Sequence, residues 1–223
     1  MSVLICLSVA IVGVSYGVTA GSAGFSLWQL SALAVLVLGA SSEFLFIGII
    51  AAGGGAVAAV VAGLLINSRN FAYGLAAGSF LGEARHTDSG WRRGSGWRKL
   101  VGAHLVNDES VAVAMAQGSV KQKRAAFWFC GIGIAVSWPI GALLGGLLGS
   151  VVRDPGALGL DAAFPAVILA LVLPALKEKV TLLAALIGAA VAVSTSPFLP
   201  PGTAPLVALL SIAVTIPFRE KVR

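Results

Sequence analysis

The chain has 223 residues, of which 58% are hydrophobic and 11% are charged, and its formal net charge is +6. Soluble domains average about 45–50% apolar and about 25% charged residues, and 15 basic with 9 acidic side chains cannot cover a soluble surface. This composition excludes a soluble enzyme, a disordered protein and a fibrous protein, and it predicts an all-α, polytopic integral membrane protein.

The length limits how many helices can cross the membrane. A spanning helix needs about 20 residues, so at most about eight or nine fit, and residues 1–223 are predicted to form a single transmembrane domain. The basic residues sit in short loops between apolar runs, which indicates contact with a lipid bilayer rather than with nucleic acid. Cys6 and Cys130 lie within apolar runs and lack metal-ligand spacing, so no metal site, cofactor or disulfide framework is predicted.

Three apolar runs in the first part of the chain predict spans over residues 2–20, 30–52 and 56–81. No basic residue precedes the first run, so we interpret it as a retained helix rather than a cleaved signal peptide. The second run is interrupted by the sequence Gly-Ala-Ser-Ser-Glu at residues 39–43 and is followed by three glycines at 53–55. The second span is therefore expected to be a broken helix that ends in a tight turn.

Residues 100–118 are apolar overall but carry five polar side chains, which are His104, Asn107, Asp108, Glu109 and Gln117. The basic clusters at 121–124, at 177–179 and at the C-terminal end are separated by pairs of predicted spans, so they share one side, the cytoplasm. If residues 100–118 crossed the membrane, the five basic residues within 83–99 would lie outside. We therefore predict that 100–118 re-enters or is broken and buried in protein, which gives about seven full spans and an outside N-terminus.

Four later apolar runs predict spans near residues 125–151, 160–176, 180–197 and 203–218. Glycines recur within 141–149 at a spacing that favours close helix packing over ligand binding. The Trp138-Pro139 pair is interpreted as a kink or a packing contact rather than a gate.

Charged groups at membrane depth are costly and usually line a cavity or a substrate path. Arg69 is flanked by the amides of Asn67 and Asn70, which suit a planar guanidinium. The full set of candidates at membrane depth is Glu43, Arg69, the Asp108-Glu109 pair and Asp161.

Each of these candidates also has a purely structural interpretation. Glu43 and Arg69 would then form an ion pair between neighbouring helices. Asp108 and Glu109 would be solvated at the interface. Asp161 would be a helix N-cap, because a negative charge suits the start of a helix.

An intramembrane arginine with carboxylates at broken helices suits a zwitterion such as an amino acid. The carboxylate of the ligand needs cationic or amide donors, its ammonium group needs acceptors, and its side chain needs an apolar wall. Secondary transporters build such sites from half-helix ends near the bilayer midplane, and a titratable carboxylate there can carry a coupling proton. The sequence has no phosphate-binding glycine loop, and His104 with Asp108 supplies only two ligands, too few for a zinc site.

Several motifs occur in order along most of the chain. They lie at residues 12–17 with 23–26, at 39–44, at 65–75, at 107–109, and at 138–149 with 159–166. Together they resemble the AzlC family, the large subunit of bacterial branched-chain amino acid exporters. The most specific is Asn-Ser-Arg-Asn-Phe-Ala-Tyr-Gly at 67–74, which is similar to the family's Asn-x-Arg-His-x-x-x-Gly signature, although Asn70 stands where the family often has histidine.

The resemblance implies export of hydrophobic amino acids, driven by an ion gradient and assisted by a small membrane subunit of the AzlD type. We therefore predict a multi-pass transporter of the bacterial inner membrane, rather than an enzyme, that exports branched-chain or similarly apolar amino acids.

Arg69 with Asn67 is expected to bind the substrate carboxylate. Glu43, with Asp108 or Glu109, is expected to attract the ammonium group or to exchange protons. The candidate substrate-binding residues are Arg69, Asn67, Glu43, Asn70 and Ser42, and the candidate proton-coupling residues are Asp108, Glu109 and Glu43.

Three other classes of protein remain open. A membrane scaffold or regulatory subunit would use its polar groups only for helix contacts, so that Glu43 and Arg69 would rescue each other when exchanged. A permease subunit of an ATP-driven importer would need a cytoplasmic docking helix, whereas residues 83–99 are rich in glycine and arginine and are expected to be poorly helical. An intramembrane hydrolase would need Asp108 and Asp161 in contact, which their spacing does not require.

Overall fold

A computed structural model describes residues 2–81, 95–151, 169, 173, 175–199 and 203–211. Helices and short turns make up these ranges, and no strand occurs among the described residues, which confirms the all-α prediction. The helices are α1 (Ser2–Ser22), α2 (Leu27–Leu36), α3 (Ala40–Ala51), α4 (Ala56–Asn67), α5 (Arg69–Leu81), α6 (Ser95–His104), α7 (Asp108–Met115), α8 (Val120–Val151), α9 (Lys179–Thr195) and α10 (Ala204–Ala208), with a 3-10 turn at Ala175–Lys177.

Three helical stretches of the described chain are long and apolar enough to cross a bilayer. They have 21, 26 and 30 residues, and they are Ser2–Ser22, Ala56–Leu81 and Val120–Gly149. Each coincides with a predicted span. The predicted span 160–176 lies largely outside the described residues, as do Asp161 and the end of 203–218, so the total of seven spans stays a prediction.

The second predicted span is broken, as the sequence indicated. α2 ends at Leu36 and α3 begins at Ala40, so the break precedes Glu43, which lies in the first turn of α3. Leu38, within the break, adopts a φ of 49°, a left-handed conformation that costs an L-residue about 1–2 kcal/mol. The Leu38 side chain is buried, and its packing therefore supports a backbone that local preference alone would not adopt.

The third predicted span contains an interruption that the sequence did not reveal. α4 ends at Asn67 and α5 begins at Arg69, with Ser68 between them. The Ser68 hydroxyl donates to the Leu65 carbonyl at 2.6 Å, and the Phe71 N–H donates to the Ser68 carbonyl at 3.1 Å. These turn bonds locally replace the helical ladder, and they place Arg69 at the start of a helix.

Residues 100–118 are also broken, as predicted. α6 and α7 have ten and eight residues, and each is too short to cross a bilayer alone. The expectation of a poorly helical basic segment is wrong for residues 95–99, which belong to α6. Trp97, Leu100 and Val101 follow the i, i+3, i+4 spacing of an amphipathic helix, a pattern that the glycines and arginines around them obscure.

The chain forms two compact units. The first comprises Met1–Ala40 and Leu65–Arg153, and the second comprises Ser41–Leu64 and Asp154–Arg223. Helices α1, α2 and α5 to α8 belong to the first unit. In the second unit the described residues include a buried core of small and branched side chains, which are Ile49, Ala59 and Ala62.

Glycines bring α1 and α8 into backbone contact in the first unit. A methyl group on Gly17 would collide with the carbonyl of Ala142, and one on Gly145 would collide with the carbonyl of Val14. This contact confirms that the glycines serve helix packing, because association in lipid depends on close van der Waals approach. The two glycine stripes are Gly13, Gly17 and Gly21 on α1, and Gly141, Gly145 and Gly149 on α8.

Large buried side chains join α2 to the α1–α8 pair. The rings of Tyr16 and Trp138 lie 5.2 Å apart, and both side chains are almost fully buried. The Tyr16 hydroxyl donates to the carbonyl of Leu30 on α2 at 3.3 Å. Trp138 thus makes the packing contact predicted for the Trp138-Pro139 pair.

The C-terminal end of α5 is attached to α8. Phe80 packs edge-on against Phe127 with ring centroids 5.8 Å apart, and Nε of Arg124 donates to the Phe80 carbonyl at 2.6 Å. A cation at this end of a helix offsets the partial negative charge of the last carbonyls. Arg124, predicted only as a charge that determines topology, therefore also anchors α5.

Enlarging Gly145 tests the glycine contact. Gly145→Ala places a methyl group on the Val14 carbonyl, and overpacking of this kind costs about 1–3 kcal/mol. The matched control is Gly78→Ala in α5, where an added methyl group has nothing within 4 Å and alanine gains up to about 1 kcal/mol of helix propensity. We expect the unfolding temperature in detergent to fall for Gly145→Ala and to hold or rise for Gly78→Ala. Equal unfolding temperatures for Gly145→Ala and wild type would contradict this role of Gly145.

Candidate functional site

Arg69 and Asp108, two of the predicted site residues, form an ion pair in the first unit. Nη1 of Arg69 lies 3.6 Å from Oδ2 of Asp108, and the two side chains retain 41% and 40% of their accessible surface. A pair as exposed as this contributes about 0–1 kcal/mol to folding. Competing charges can therefore open it readily.

Both partners lie at the start of a helix that an interruption creates. Arg69 is the first residue of α5, directly after the turn at Ser68, and Asp108 is the first residue of α7. The N-terminus of a helix carries a partial positive charge, which stabilises the Asp108 carboxylate and disfavours the Arg69 guanidinium. Arg69 therefore depends on anionic groups, and Asp108 supplies one.

A reciprocal cap holds the start of α7. Oδ1 of Asn107 accepts a hydrogen bond from the Ser110 N–H at 2.7 Å, and Oγ of Ser110 accepts one from the Asn107 N–H at 3.2 Å. The Ser110 hydroxyl also donates to the Leu105 carbonyl at 2.8 Å. Leu105 is buried and packs against Gly131 of α8, so these contacts hold Asp108 in place relative to α8.

Glu109 follows Asp108 in the first turn of α7, outside the three membrane-length helices. Burial raises the pKa of Glu109 from 4.5 to about 7, the negative charge of Asp108 adds to the rise, and the charge of Arg69 opposes it. A carboxyl group with this pKa is present in both protonation states near neutral pH. Of the two adjacent carboxylates, Asp108 is ion-paired and Glu109 is suited to proton exchange.

A cavity of about 660 Å³ lies between α5, α6 and α8 of the first unit. Its walls are mainly apolar and include Phe71 of α5 and Trp128 of α8. Asn70 and Val106, which are close in sequence to the ion-paired residues, line it as well. Arg69 and Asp108 themselves are not among the lining residues.

Helix α6 contributes polar groups to the cavity, which are Arg98, Lys99 and His104. Nε2 of His104 lies 2.9 Å from the carbonyl oxygen of Val35, near the end of α2. Because a carbonyl oxygen only accepts, Nε2 carries the proton in this contact. Within the described ranges, no group of three His, Cys, Asp or Glu side chains is placed to hold a metal ion.

The remaining predicted residues are divided between the two units. Asn67, the last residue of α4, belongs to the first unit. Ser42 and Glu43 belong to the second unit, where both are buried on α3. The first turn of a helix favours a negative charge, so this position suits the Glu43 carboxylate.

Sequence reasoning missed several residues that line the cavity. Arg98 and Lys99 were interpreted only as charges that determine topology, and Trp128 only as part of an apolar span. The available signal was spacing, because Lys99, Gly102 and Ala103 occur at i, i+3, i+4 and share one helix face. A cation beside two small residues on one face indicates a groove, and all three line the cavity.

The model of one protein family, described as AzlC protein, matches residues 4–152 of the chain. The matched range includes Arg69, Asp108 and the whole lining of the cavity. No match to the chain is found among curated proteins or among solved structures.

Replacing Glu109 by glutamine tests the environment of this carboxyl group. The folded protein keeps the Glu109 proton up to about pH 7, whereas the unfolded chain loses it near pH 4.5. The stability that this proton contributes is therefore full below about pH 4.5. It is lost as the pH rises through about 7. We expect the unfolding temperature of the wild type in detergent to fall relative to that of Glu109→Gln across this range. A difference that does not change with pH would contradict the raised pKa.

Proposed function

The chain belongs to the AzlC family, whose members are membrane proteins of the branched-chain amino acid exporter type, and we propose that it is a secondary transporter that exports branched-chain or similarly apolar amino acids. The proposal places the chain in the bacterial inner membrane as a multi-pass protein without enzymatic activity. The observation that carries it is the accessible ion pair between Arg69 and Asp108.

The ion pair supports this proposal because its two charges complement those of a zwitterion. In the proposed complex the substrate carboxylate faces Arg69 and the substrate ammonium group faces Asp108. The separation of 3.6 Å exceeds the 2.7–2.9 Å typical of a tight charged hydrogen bond, so little is lost when the pair opens. The substrate would exchange one loose ion pair for two contacts of its own charges.

The cavity supplies space for an apolar side chain. Its volume of about 660 Å³ falls within the roughly 300–1,000 Å³ of typical small-molecule sites. Phe71, Leu75 and Trp128 provide apolar surface, and each buried methylene group of a substrate gains about 0.8 kcal/mol. This lining supports branched-chain or other apolar amino acids over polar ones.

The other candidate residues have proposed roles of their own. Asn67 and Asn70 flank Arg69 and would orient its guanidinium or contact the substrate carboxylate. Ser42 and Glu43 are proposed for substrate binding, with Glu43 also a candidate for proton exchange, on the basis of their burial at the start of the helix that follows a break.

Glu109 is the group proposed to couple export to proton entry. Ionised Glu109 adds a negative charge beside Asp108 and strengthens the attraction for the substrate ammonium group. Protonation removes that charge and weakens the attraction, so a proton that enters would favour release of the substrate. The pKa near 7 allows this exchange at physiological pH.

The proposed partner is a small membrane subunit of the AzlD type, as the family resemblance implies. Neither Arg69 nor Asp108 requires a metal or an organic cofactor for the proposed binding step. Lipid is expected to cover exposed apolar side chains of the long helices, such as Leu4 and Phe129.

Arg69→Ala tests the proposal directly. Cells that lack their own exporters are loaded with dipeptides that contain valine, leucine, isoleucine or methionine, and release of the free amino acid is measured. The chain is expressed alone and together with the small membrane protein encoded beside it. We expect release by the wild type and none by Arg69→Ala at an equal membrane level, because the mutation removes the carboxylate ligand while the lost ion pair contributes only about 0–1 kcal/mol.

Lys121→Ala is the matched control, since it removes the same charge from an exposed position at the start of α8. It should export like the wild type. Normal release by well-expressed Arg69→Ala would remove Arg69 from the substrate site. Failure of the wild type to release any of the four amino acids, with or without the partner, would refute the transporter proposal itself.

A further inference from the structure

Asn107 holds a hydrogen-bond donor that the fold leaves unused. The residue is the N-cap of α7, and only 6% of its surface is exposed. Its Oδ1 accepts from the Ser110 N–H, whereas its Nδ2 has no hydrogen-bond partner within the described part of the chain. Buried amide donors without an acceptor are rare in folded proteins, so this group indicates an acceptor from outside the described residues.

The cap bond determines which way the Asn107 amide faces. The Ser110 N–H can only donate, so the amide atom opposite it must be the oxygen. Turning the amide over would place two donors face to face and would not satisfy either of them. Nδ2 of Asn107 therefore faces away from the Ser110 N–H, at the start of α7.

The surroundings of Asn107 carry both signs of charge, since the carboxylates of Asp108 and Glu109 oppose a free anion but suit a zwitterion whose ammonium group faces Asp108. The next residue is Asp108, whose carboxylate is 3.6 Å from the guanidinium of Arg69, and the start of α7 adds a partial positive charge. A donor amide, a guanidinium and a helix N-terminus together suit a carboxylate. Val106, the residue before Asn107 in the sequence, lines the cavity, whereas Asn107 itself does not.

We propose that Nδ2 of Asn107 donates a hydrogen bond to the carboxylate of the transported amino acid, next to the guanidinium of Arg69. The inference rests on the proposed function and extends its substrate site by one residue. Without substrate the donor is unsatisfied, and with substrate it is paired. The site therefore selects ligands with a free carboxylate and disfavours analogues that lack one, because they leave the buried donor unpaired.

Two substitutions separate the capping role of Asn107 from the binding role. Serine and aspartate are N-caps about as good as asparagine, and both offer an oxygen to the Ser110 N–H. Neither has the Nδ2 donor, and aspartate adds a negative charge that repels a carboxylate. A role in capping alone makes the three residues equivalent, whereas carboxylate binding ranks asparagine above serine and serine above aspartate.

The experiment compares wild type, Asn107→Ser and Asn107→Asp in detergent and in proteoliposomes. The rise in unfolding temperature is measured against the concentration of leucine, isoleucine, valine, methionine and leucinamide, and the KM and maximal rate of transport are measured in parallel. For Asn107→Ser we expect about a tenfold or larger increase in the amino acid concentration required and in KM, the effect of one hydrogen bond to a charged group. The preference for leucine over leucinamide should shrink, and the unliganded variant should unfold at or above the wild-type temperature.

Ser119→Ala is the matched control for a lost cap. Oγ of Ser119 accepts from the Gln122 N–H at the start of α8, away from Asn107, so this variant should lower the unfolding temperature and leave the ligand dependence unchanged.

Unchanged ligand dependence in Asn107→Ser, or an undiminished preference for leucine over leucinamide, would overturn the inference and leave Asn107 as a cap whose Nδ2 binds water. If Asn107→Ser does not accumulate, Asn107→Asp carries the same comparison with a larger expected loss. A wild type that neither binds nor transports the four amino acids would refute the proposed function, and that outcome is recognised from the wild type alone.

Discussion

The backbone contact between α1 and α8 supports the rest of the first unit. The absence of side chains at Gly17 and Gly145 lets the two helices approach until an added methyl group would meet the opposite carbonyl. The other elements then pack on α8: α2 beside Gly146, α5 at Phe127, and the segment that precedes α7 at Gly131. Since lipid provides no hydrophobic force between helices, this close approach supplies the association energy on which the site depends.

The two helix interruptions of the first unit differ in their surroundings. Leu105 and Asn107 are buried, whereas Ser68 is exposed and is held by local turn bonds. The interruption at Ser68 starts α5 with Arg69, and the one at residues 105–107 starts α7 with Asp108. Each helix start brings unpaired N–H groups and a partial positive charge. The result is a small polar site in a protein whose composition is otherwise apolar.

Much of this arrangement was predictable, and the reasons for the remainder are physical. Length and hydropathy determine what can cross a bilayer, so α1 and α8 followed from the sequence, and the expense of burying charge singled out Arg69 and Asp108. Their pairing was not predictable, because a sequence does not give distances between separate segments. The interruption at Ser68 was not predicted, because the serine hydroxyl competes with the helical hydrogen bonds through turn bonds, and a hydropathy pattern does not record such bonds. The unpaired Nδ2 of Asn107 was not predicted either, because helix capping alone explains an asparagine at an N-cap position.

Two interpretations of the ion pair remain distinct in their consequences. A purely structural pair with this exposure would contribute about 0–1 kcal/mol to folding, and exchanging its two charges would leave function intact. A binding pair must be accessible, as the Arg69–Asp108 pair is. The pair also lies close in sequence to residues that line a cavity, and Asp108 follows Asn107, whose buried Nδ2 has no hydrogen-bond partner among the described residues. These features support the proposal that a ligand with a carboxylate and an ammonium group binds here.

The most direct measurement exchanges the two charges, with Arg69→Asp and Asp108→Arg in one chain. The exchange keeps an ion pair but reverses the positions that receive the carboxylate and the ammonium group of the substrate. Release of valine, leucine, isoleucine and methionine is compared for the double variant, both single variants and the wild type at equal membrane levels. The account predicts that the double variant accumulates and unfolds like the wild type but releases none of the amino acids. Restored release in the double variant would show that the pair is structural and would contradict the account.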